Sequence, residues 1–258
     1  MPPILFEVKD SIAHITLNRP DKLNVFNREM ALLLQQHLDV CNEDENIRCV
    51  YLTGAGRAFS AGQDLAEIAD SNGPKMNQVL AKHYNPIIIK IHHLKKPVVT
   101  AVNGVAAGAG ANIALTCDIV VAARSASFIQ AFTKIGLIPD SGGTYTLPRL
   151  IGWQKASALM LSGDKISADE AERLGMIYKV FDDENFIEES LKIAFNLAAM
   201  PSQALHLTKK ALRLSATQNF EEQLISEDKL QQLAASTEDF KEGIRAFIEK
   251  RQPRFTGR

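Results

Sequence analysis

The sequence predicts an α/β fold that ends in an all-helical region, and three observations support this prediction. Apolar segments typical of strands alternate with helical segments as far as about residue 183, which is the pattern of a largely parallel sheet with helices on its faces. Beyond that point the pattern is helical only. With 258 residues, of which 46% are hydrophobic, the chain is long enough to bury a full core.

The elements follow in chain order. "SIAHITLN" (11–18) alternates with the period of a strand, and "NREMALLLQQHLDVC" places apolar residues on one helical face after a candidate N-cap, Asn27. "RCVYLT" (48–53) precedes a long helical segment ending near Lys96, "PVVTAV" (97–102) precedes a helix of small residues, and "DIVVAA" (118–123) is the next strand. The final helices are "ENFIEESLKIAFNLAAM", "PSQALHLTKKALRLSA", "NFEEQLISEDKLQQLAAS" and "TEDFKEGIRAFIEKR".

Composition argues against several classes of function. Lys and Arg (29) nearly balance Asp and Glu (30), so no overall field gathers nucleic acid or an anionic membrane. The three cysteines form no CxxC pair, the six histidines show no metal-ligand spacing, and the N-terminus carries no export signal. The apolar stretch 98–123 contains Asn103, Asn112 and Asp118, which disfavours a membrane span. We expect a cytoplasmic protein without nucleic-acid or membrane partners and without a metal.

Two glycine-rich turns each follow an apolar strand: "TGAGRAFSAGQDL" (53–65) and "NGVAAGAGANIA" (103–114). Neither is followed by the G-K-[ST] of a phosphate loop, and the second has Ile113 where a dinucleotide fingerprint needs its third glycine. Small residues in such turns let backbone N–H groups point into one cavity, as in an oxyanion hole, or they simply permit close packing of a helix on a strand. Spacing alone leaves both interpretations open.

Four longer motifs occur in order: "AFSAGQDL", "PVVTAVNGVAAGAGANIALTCDIVVAARSASF", "GLIPDSGGTYTLPRLIG" and "SGDKISADEAERLGMI". They resemble the successive signatures of the crotonase superfamily, also called the enoyl-CoA hydratase/isomerase family, over essentially the whole chain. The resemblance implies a crotonase-like spiral of ββα repeats in residues 1–196 and a helical C-terminal trimerisation region in residues 197–258, assembled as a homotrimer or a dimer of trimers. It also implies an acyl-CoA thioester substrate, in which coenzyme A is part of the substrate and no separate cofactor is needed. The implied oxyanion hole consists of the backbone N–H groups of Ala61 and Ala109.

Acidic residues in the acyl pocket distinguish the activities within this family. Hydratases that resemble this chain carry glutamates at the positions of Asn112 and Phe132, and hydration needs such a carboxylate pair. Asp140 in "GLIPDSGGT" stands where family isomerases of the dienoyl-CoA and ring-epoxide types present an aspartate. The resemblance therefore implies an acyl-CoA isomerase with one aspartate base. Its reactions would be 1,2-epoxyphenylacetyl-CoA to oxepin-CoA and 3-enoyl-CoA to 2-enoyl-CoA, through a thioester enolate.

Other interpretations of this segment stay open. Local sequence allows Asp140 to be the N-cap of a helix. A 4-chlorobenzoyl-CoA dehalogenase of the same fold uses an aspartate at this position as nucleophile, together with a histidine at the position of Asn85, whereas here the histidine is His83. An enoyl-CoA hydratase and a non-catalytic acyl-CoA-binding protein are further alternatives. A protease-like role for Ser141 is disfavoured because the partner motifs are absent.

The resemblance and the apolar pattern also name binding residues. The contacts implied for the nucleotide end are Lys22 and Leu23 in "RPDKLN" and Gln63, Asp64 and Leu65 around the first turn, with Phe247 and Lys250 completing the site of a neighbouring subunit. The candidate substrate-binding residues of the acyl pocket are Asn112 and the aromatic walls Tyr84, Phe132 and Tyr145, although single aromatic residues on helices are more often part of a core.

Overall fold

The computed structural model describes residues 1–71 and 73–257. It contains two sheets, whose strands are β1 (Ile4–Lys9), β2 (Ile12–Leu17), β3 (Cys49–Gly54), β4 (Ala58–Ser60), β5 (Val98–Val102), β6 (Val105–Ala107), β7 (Ile119–Ala123), β8 (Ser127–Ile129), β9 (Lys165–Ser167) and β10 (Lys179–Phe181). The larger sheet has the order β1-β2-β3-β5-β7-β10 and the smaller one β4-β6-β8-β9. All pairings are parallel except β1 with β2 and β8 with β9.

Each repeat of the chain adds one strand to each sheet. β3, β5 and β7 enter the larger sheet, and the short strands that follow them, β4, β6 and β8, enter the smaller one. The central strands of the larger sheet, β3, β5 and β7, are almost fully buried, which is expected for parallel strands covered on both faces. The predicted α/β fold with repeated ββα units is confirmed.

The helices follow the second strand of each repeat and then form the C-terminal region. They are α1 (Arg28–Glu43), α2 (Leu65–Ala69), α3 (Met76–Gln78), α4 (Asn85–His93), α5 (Ala109–Thr116), α6 (Gly143–Ile151), α7 (Trp153–Ser162), α8 (Ala168–Arg173), α9 (Phe186–Ala199), α10 (Ser202–Ser215), α11 (Phe220–Ala235) and α12 (Glu238–Ile248). Short 3-10 helices span Pro20–Lys22 and Ala131–Ile135, and a π-helix spans Val79–Tyr84.

Two local predictions can be followed in the structure. Asn27 is the N-cap of α1, because its side chain accepts a hydrogen bond from the N–H of Met30 at 3.0 Å. The long helical region expected to end near Lys96 is present, and it consists of α2 and of a continuous run over 76–93 made of α3, the π-helix and α4. A π-helix is rare and often marks a functional position, and this one ends at Tyr84.

The C-terminal helices are joined to the core by specific contacts. α9 packs against β3 and β5, and Lys209 on α10 forms a 2.5 Å ion pair with Asp118 at the start of β7. The predicted boundary between 1–196 and 197–258 falls inside α9, and this division stays a prediction, with Arg258 outside the described residues. In the described part of the chain, no helix has the length and apolar character needed to cross a bilayer.

Candidate active site

A cavity of about 140 Å³ opens between the two glycine-rich turns and the segments 76–84 and 131–140. Its lining is mostly apolar, and Asp140 is the one carboxylate among the described residues that line it. The lining residues are Ala61, Gly62, Gln63, Leu65, Met76, Val79, Tyr84, Gly108, Ala109, Ala131, Phe132, Ile135, Leu137 and Asp140. Of the predicted site residues, the structure brings Ala61, Gln63, Leu65, Tyr84, Ala109, Phe132 and Asp140 together here.

Glycine lets the two turns approach each other closely. A Cβ on Gly62, whose φ is +92°, would stand 2.9 Å from the carbonyl oxygen of Ala107 and 3.5 Å from the nitrogen of Ala109. Close packing therefore requires glycine at this position, and the same packing brings the backbone N–H groups of both turns to one cavity. Close packing and an oxyanion hole are therefore compatible interpretations of these two turns.

The predicted N–H donor Ala61 is wrong, because its N–H already donates to the carbonyl oxygen of Leu23 at 2.9 Å. The N–H of Gly62 donates to the hydroxyl of Ser60, and the N–H of Asp64 donates to the carbonyl oxygen of Phe26. Gln63 lies between these two donors. Within residues 1–71 and 73–257, the N–H of Gln63 has no acceptor, nor has the N–H of Ala109 in the first turn of α5. Gln63 and Ala109 therefore each present a free N–H donor in the cavity lining, one from each glycine-rich turn.

Asp140 is held as a half-buried carboxylate at the cavity wall. Ser141 donates its hydroxyl to Oδ1 of Asp140 at 2.9 Å. Burial raises the pKa of the Asp140 carboxyl above its ordinary value, and the hydrogen bond from Ser141 acts in the opposite direction. The N-cap of α6 is Gly142 and no side chain caps this helix, so the alternative that Asp140 is an N-cap is wrong. The carboxylate is left free to act on a ligand.

Asn112 does not line the cavity, contrary to its prediction as a substrate-binding residue. Its side chain is 1% exposed and lies behind Asp140, where Nδ2 donates to the main-chain oxygen of Asp140 at 2.8 Å. Gln130 in turn donates to Oδ1 of Asn112 at 2.8 Å. The amide that stands at the position of a hydratase glutamate therefore supports the segment that carries the carboxylate.

Two polar side chains of the lining have unsatisfied atoms. Neither the amide atoms of Gln63 nor the hydroxyl of Tyr84 has a hydrogen-bond partner among the described residues. Burial, followed by the charge of Asp140, raises the pKa of Tyr84 well above its ordinary value, so its phenol stays protonated. Buried polar groups usually have hydrogen-bond partners. Because the Gln63 amide and the Tyr84 hydroxyl lack such partners, they are available to a ligand in the cavity.

The remaining predicted residues lie around or away from the cavity. The carboxylate of Asp64 forms a 2.9 Å ion pair with Arg19 and accepts a hydrogen bond from the N–H of Ala66, so it supports the first glycine-rich turn. Lys22 and Leu23 lie in the adjacent loop, Lys22 being exposed. Tyr145 is wrong as a cavity wall, because it is 45% exposed and its ring lies against Arg149.

The C-terminal pair Phe247 and Lys250 does not reach the cavity of its own chain. Phe247 is 85% exposed on α12, and Lys250 is also exposed. No group of three or more His, Cys, Asp or Glu side chains that would hold a metal ion occurs in the part of the chain that the structure describes. The cysteines Cys41, Cys49 and Cys117 are free and buried.

Comparisons with known proteins show the family of the chain. Residues 7–258 match the family model described as enoyl-CoA hydratase/isomerase. A 1,2-epoxyphenylacetyl-CoA isomerase from Escherichia coli (strain K12) is 46% identical over 99% of this chain and 98% of that protein. A probable enoyl-CoA hydratase from Rhodobacter capsulatus is 43% identical over 99% of this chain and 98% of its own length.

Solved structures show the same fold. A putative enoyl-CoA hydratase/isomerase from Mycobacterium abscessus superposes with a TM-score of 0.94 at 36% identity, covering 99% of this chain and 100% of that one. An enoyl-CoA hydratase from Bacillus anthracis gives a TM-score of 0.92 at 35% identity, with 99% and 100% covered. With the cavity, its free backbone donors and these matches together, the chain belongs to the enoyl-CoA hydratase/isomerase family.

Proposed function

We propose that this protein is an acyl-CoA isomerase that acts through a thioester enolate with Asp140 as its base. The observation that carries the proposal is the single carboxylate in the cavity lining described above. Phe132, 6% exposed, occupies the wall where the resemblance places a second hydratase acid. Addition of water needs one group to activate the water and another to deliver a proton, whereas moving a proton along a substrate needs only one.

The proposed reaction starts at the carbon next to the thioester carbonyl. Asp140 removes a proton from this carbon, and the electron pair moves into the carbonyl, whose oxygen accepts hydrogen bonds from the N–H groups of Gln63 and Ala109. In a 3-enoyl-CoA, the protonated Asp140 returns the proton to the fourth carbon of the acyl chain, which gives the 2-enoyl-CoA. In 1,2-epoxyphenylacetyl-CoA, the enolate drives opening of the epoxide and expansion of the ring, and the protonated Asp140 returns the proton to a ring carbon, which gives oxepin-CoA.

The raised pKa of Asp140 suits this role. A carboxylate with an ordinary pKa is a weak base toward a thioester α-proton, and each pKa unit of mismatch costs about 1.4 kcal/mol. Burial raises the pKa of Asp140, so its ionised form is a stronger base than a carboxylate in water. At pH values above this pKa the base is ionised, and turnover is expected to rise with pH through it.

The lining supports an aromatic or other apolar acyl group with one polar atom. Phe132, Ile135 and Leu137 provide the apolar surface, and the unpartnered hydroxyl of Tyr84 is a donor for an oxygen on the acyl group. The name of the relative from Escherichia coli, a 1,2-epoxyphenylacetyl-CoA isomerase, supports the ring epoxide as the substrate. For the nucleotide end we propose the loop that carries Lys22 and Leu23, which is joined to the first glycine-rich turn by the hydrogen bond from the N–H of Ala61 to the oxygen of Leu23.

Assembly is part of the proposal. The C-terminal helices expose many large apolar side chains, among them Leu212, Phe220, Ile225, Phe247 and Ile248. Because exposed apolar faces of this extent favour burial against another surface, we propose a homotrimer or a dimer of trimers in which Phe247 and Lys250 reach a neighbouring subunit's site. Light scattering at micromolar concentration should give a mass that is a multiple of three chains, and a stable monomer would contradict the proposal.

The direct test of the base is Asp140→Asn, assayed with 1,2-epoxyphenylacetyl-CoA and with a 3-enoyl-CoA. The amide keeps the size of the side chain but cannot take a proton, so turnover should fall by roughly 100-fold or more, while the affinity for an acyl-CoA product changes little because the oxyanion donors are backbone groups. Asp118→Asn is the matched control, since Asp118 pairs with Lys209 away from the cavity. Near-normal turnover by Asp140→Asn would refute the assignment.

A further inference from the structure

Asn112 holds the segment that carries Asp140 from the side opposite the cavity. Residues 138–141 form few hydrogen bonds: the oxygen of Asp140 accepts from the N–H of Gly143 at 2.9 Å, and Ser141 donates to the Asp140 carboxylate. Both of these bonds lie within the segment and the start of α6. In the described part of the chain, the bond from Nδ2 of Asn112 to the oxygen of Asp140 is the one hydrogen bond that reaches residues 138–141 from another element.

The orientation of the Asn112 amide is determined by its surroundings. Gln130 donates to Oδ1 of Asn112 at 2.8 Å, which leaves Nδ2 directed at Asp140. Space is also limited, because a Cβ on Gly143 would lie 2.3 Å from Nδ2 of Asn112. Asn112 and Gln130 are 1% and 2% exposed, so water does not replace either hydrogen bond. Together, the side chains of Asn112 and Gln130 form an amide bracket.

A glutamate or aspartate at position 112 would disturb this arrangement in a specific way. An ionised carboxylate has no proton to donate, so it would face the main-chain oxygen of Asp140 without a hydrogen bond. Its charge would also oppose ionisation of Asp140, since neighbouring like charges raise the pKa of an acid. An amide at position 112 is therefore chemically matched to an ionised base at position 140.

We propose that Asn112 is a positioning residue for Asp140, and that the amide bracket sets the place of the catalytic carboxylate relative to the free N–H groups of Gln63 and Ala109. This inference rests on the proposed function, in which Asp140 is the base. Small displacements of a reacting group are costly, since about 1 Å can reduce turnover by roughly 100-fold. The bracket acts through the main chain of Asp140 and does not touch the substrate.

The test is Asn112→Asp, which keeps the shape of the side chain. When protonated, the introduced carboxyl can still donate its O–H to the oxygen of Asp140, whereas its ionised form cannot. Asp140 receives a hydrogen bond from Ser141 and lies at the cavity, so it ionises first, and the introduced carboxyl, buried among neutral groups, ionises at higher pH. Tyr84 is the other titratable group at this wall and stays protonated.

The expected result is a change in the pH profile of kcat. Wild-type kcat rises with pH to a plateau, whereas kcat of Asn112→Asp should rise and then fall about 10- to 100-fold as the introduced carboxyl ionises. KM and the affinity for an acyl-CoA product should stay within about threefold, because the oxyanion donors are not moved. A loss of affinity that equals the loss of kcat would overturn the proposal, as would a profile with the wild-type shape and kcat.

The matched control is Asn103→Asp. Asn103 also brackets a turn, since its Nδ2 donates to the oxygen of Gly56 at 2.9 Å and its Oδ1 accepts from the N–H of Gly54 at 3.1 Å, but it makes no contact with Asp140. This variant should lose stability and show no new limb in the kcat profile. A new limb in both variants would assign the effect to any aspartate that replaces a turn-bracing asparagine and would overturn the proposal.

A second variant keeps the test decisive if Asn112→Asp does not fold. Gln130→Met retains Asn112 but removes the donor that orients its amide, and kcat should fall about 3- to 10-fold at unchanged KM. An unchanged kcat of Gln130→Met would overturn the proposed role of the amide bracket. The outcome is separable from that of the proposed function: if Asp140→Asn is inactive but both bracket variants behave as wild type, only the positioning role fails. If Asp140→Asn is active, the base assignment itself fails.

Discussion

Removal of the Ser141 hydroxyl should move the pH dependence of the reaction without abolishing it. Ser141 donates the hydrogen bond at 2.9 Å to the carboxylate of Asp140, and this bond lowers the pKa of a carboxyl that burial raises. In Ser141→Ala the hydrogen bond that lowers the pKa of Asp140 is lost, and only the effect of burial remains. The pKa of Asp140 then rises further, and a higher pH is needed to ionise the base.

The magnitude follows from the strength of such a bond. A hydrogen bond to a charged group is worth about 1.5–3 kcal/mol, and one pKa unit corresponds to about 1.4 kcal/mol. Loss of the bond therefore lowers the ionised fraction of Asp140 by about 10-fold or more at pH values where the protonated form predominates, and water entering from the cavity keeps the effect near 10-fold. At one pH unit below the wild-type midpoint, kcat should fall about 10-fold, while on the plateau it stays within about twofold.

The assay is the pH profile of kcat with a 3-enoyl-CoA, which avoids the chemical lability of an epoxide. Ser141→Gly is the matched variant, since Ser141 has a φ of +50°, a conformation that glycine adopts without strain. Both variants lack the hydroxyl and should show the same shift, although the glycine variant should melt at a higher temperature than the alanine variant. Profiles that coincide with the wild type would refute this reasoning, and loss of activity at every pH would favour a direct chemical role for Ser141.

Three further predictions concern other parts of the molecule. Tyr84→Phe removes a buried hydroxyl without a partner among the described residues, so the melting temperature should not fall. The loss of kcat/KM should be larger for the ring epoxide than for a 3-enoyl-CoA, and equal losses would contradict the proposed donor role of Tyr84. Lys209→Met should lower the free energy of unfolding, measured with urea, by about 2 kcal/mol. This is less than the ~3–5 kcal/mol expected for a fully buried ion pair, because the side chain of its partner Asp118 is 30% exposed. An unchanged urea midpoint would refute this prediction. Wild-type protein should hydrate a 2-enoyl-CoA poorly, since Phe132 lines the cavity in place of an acid, and efficient hydration would contradict the isomerase assignment.

Local sequence was sufficient where a segment is long and its pattern is regular. The alternation in Ile12–Leu17, the helix after Asn27 and the four C-terminal helices all lie close to where the sequence places them. Each depends on contacts between residues near in sequence and on one continuous buried face. The short strands were not predictable in this way, because Ala58–Ser60 and Val105–Ala107 have three residues each. Such a segment has no measurable period and becomes a strand only by pairing with a distant one.

The sequence by itself determined the family and the α/β order and named Asp140 as the candidate base, because motifs and residue types are properties of the chain. It did not determine which backbone N–H is free or what Asn112 does. Ala61 is excluded as a donor by a bond to Leu23, and Asn112 is turned from the cavity by bonds to Asp140 and Gln130. In both cases the hydrogen-bond partner lies far along the chain. Only the tertiary structure brings such partners within 3 Å, and at that distance one hydrogen bond decides whether a group faces the ligand or supports the fold.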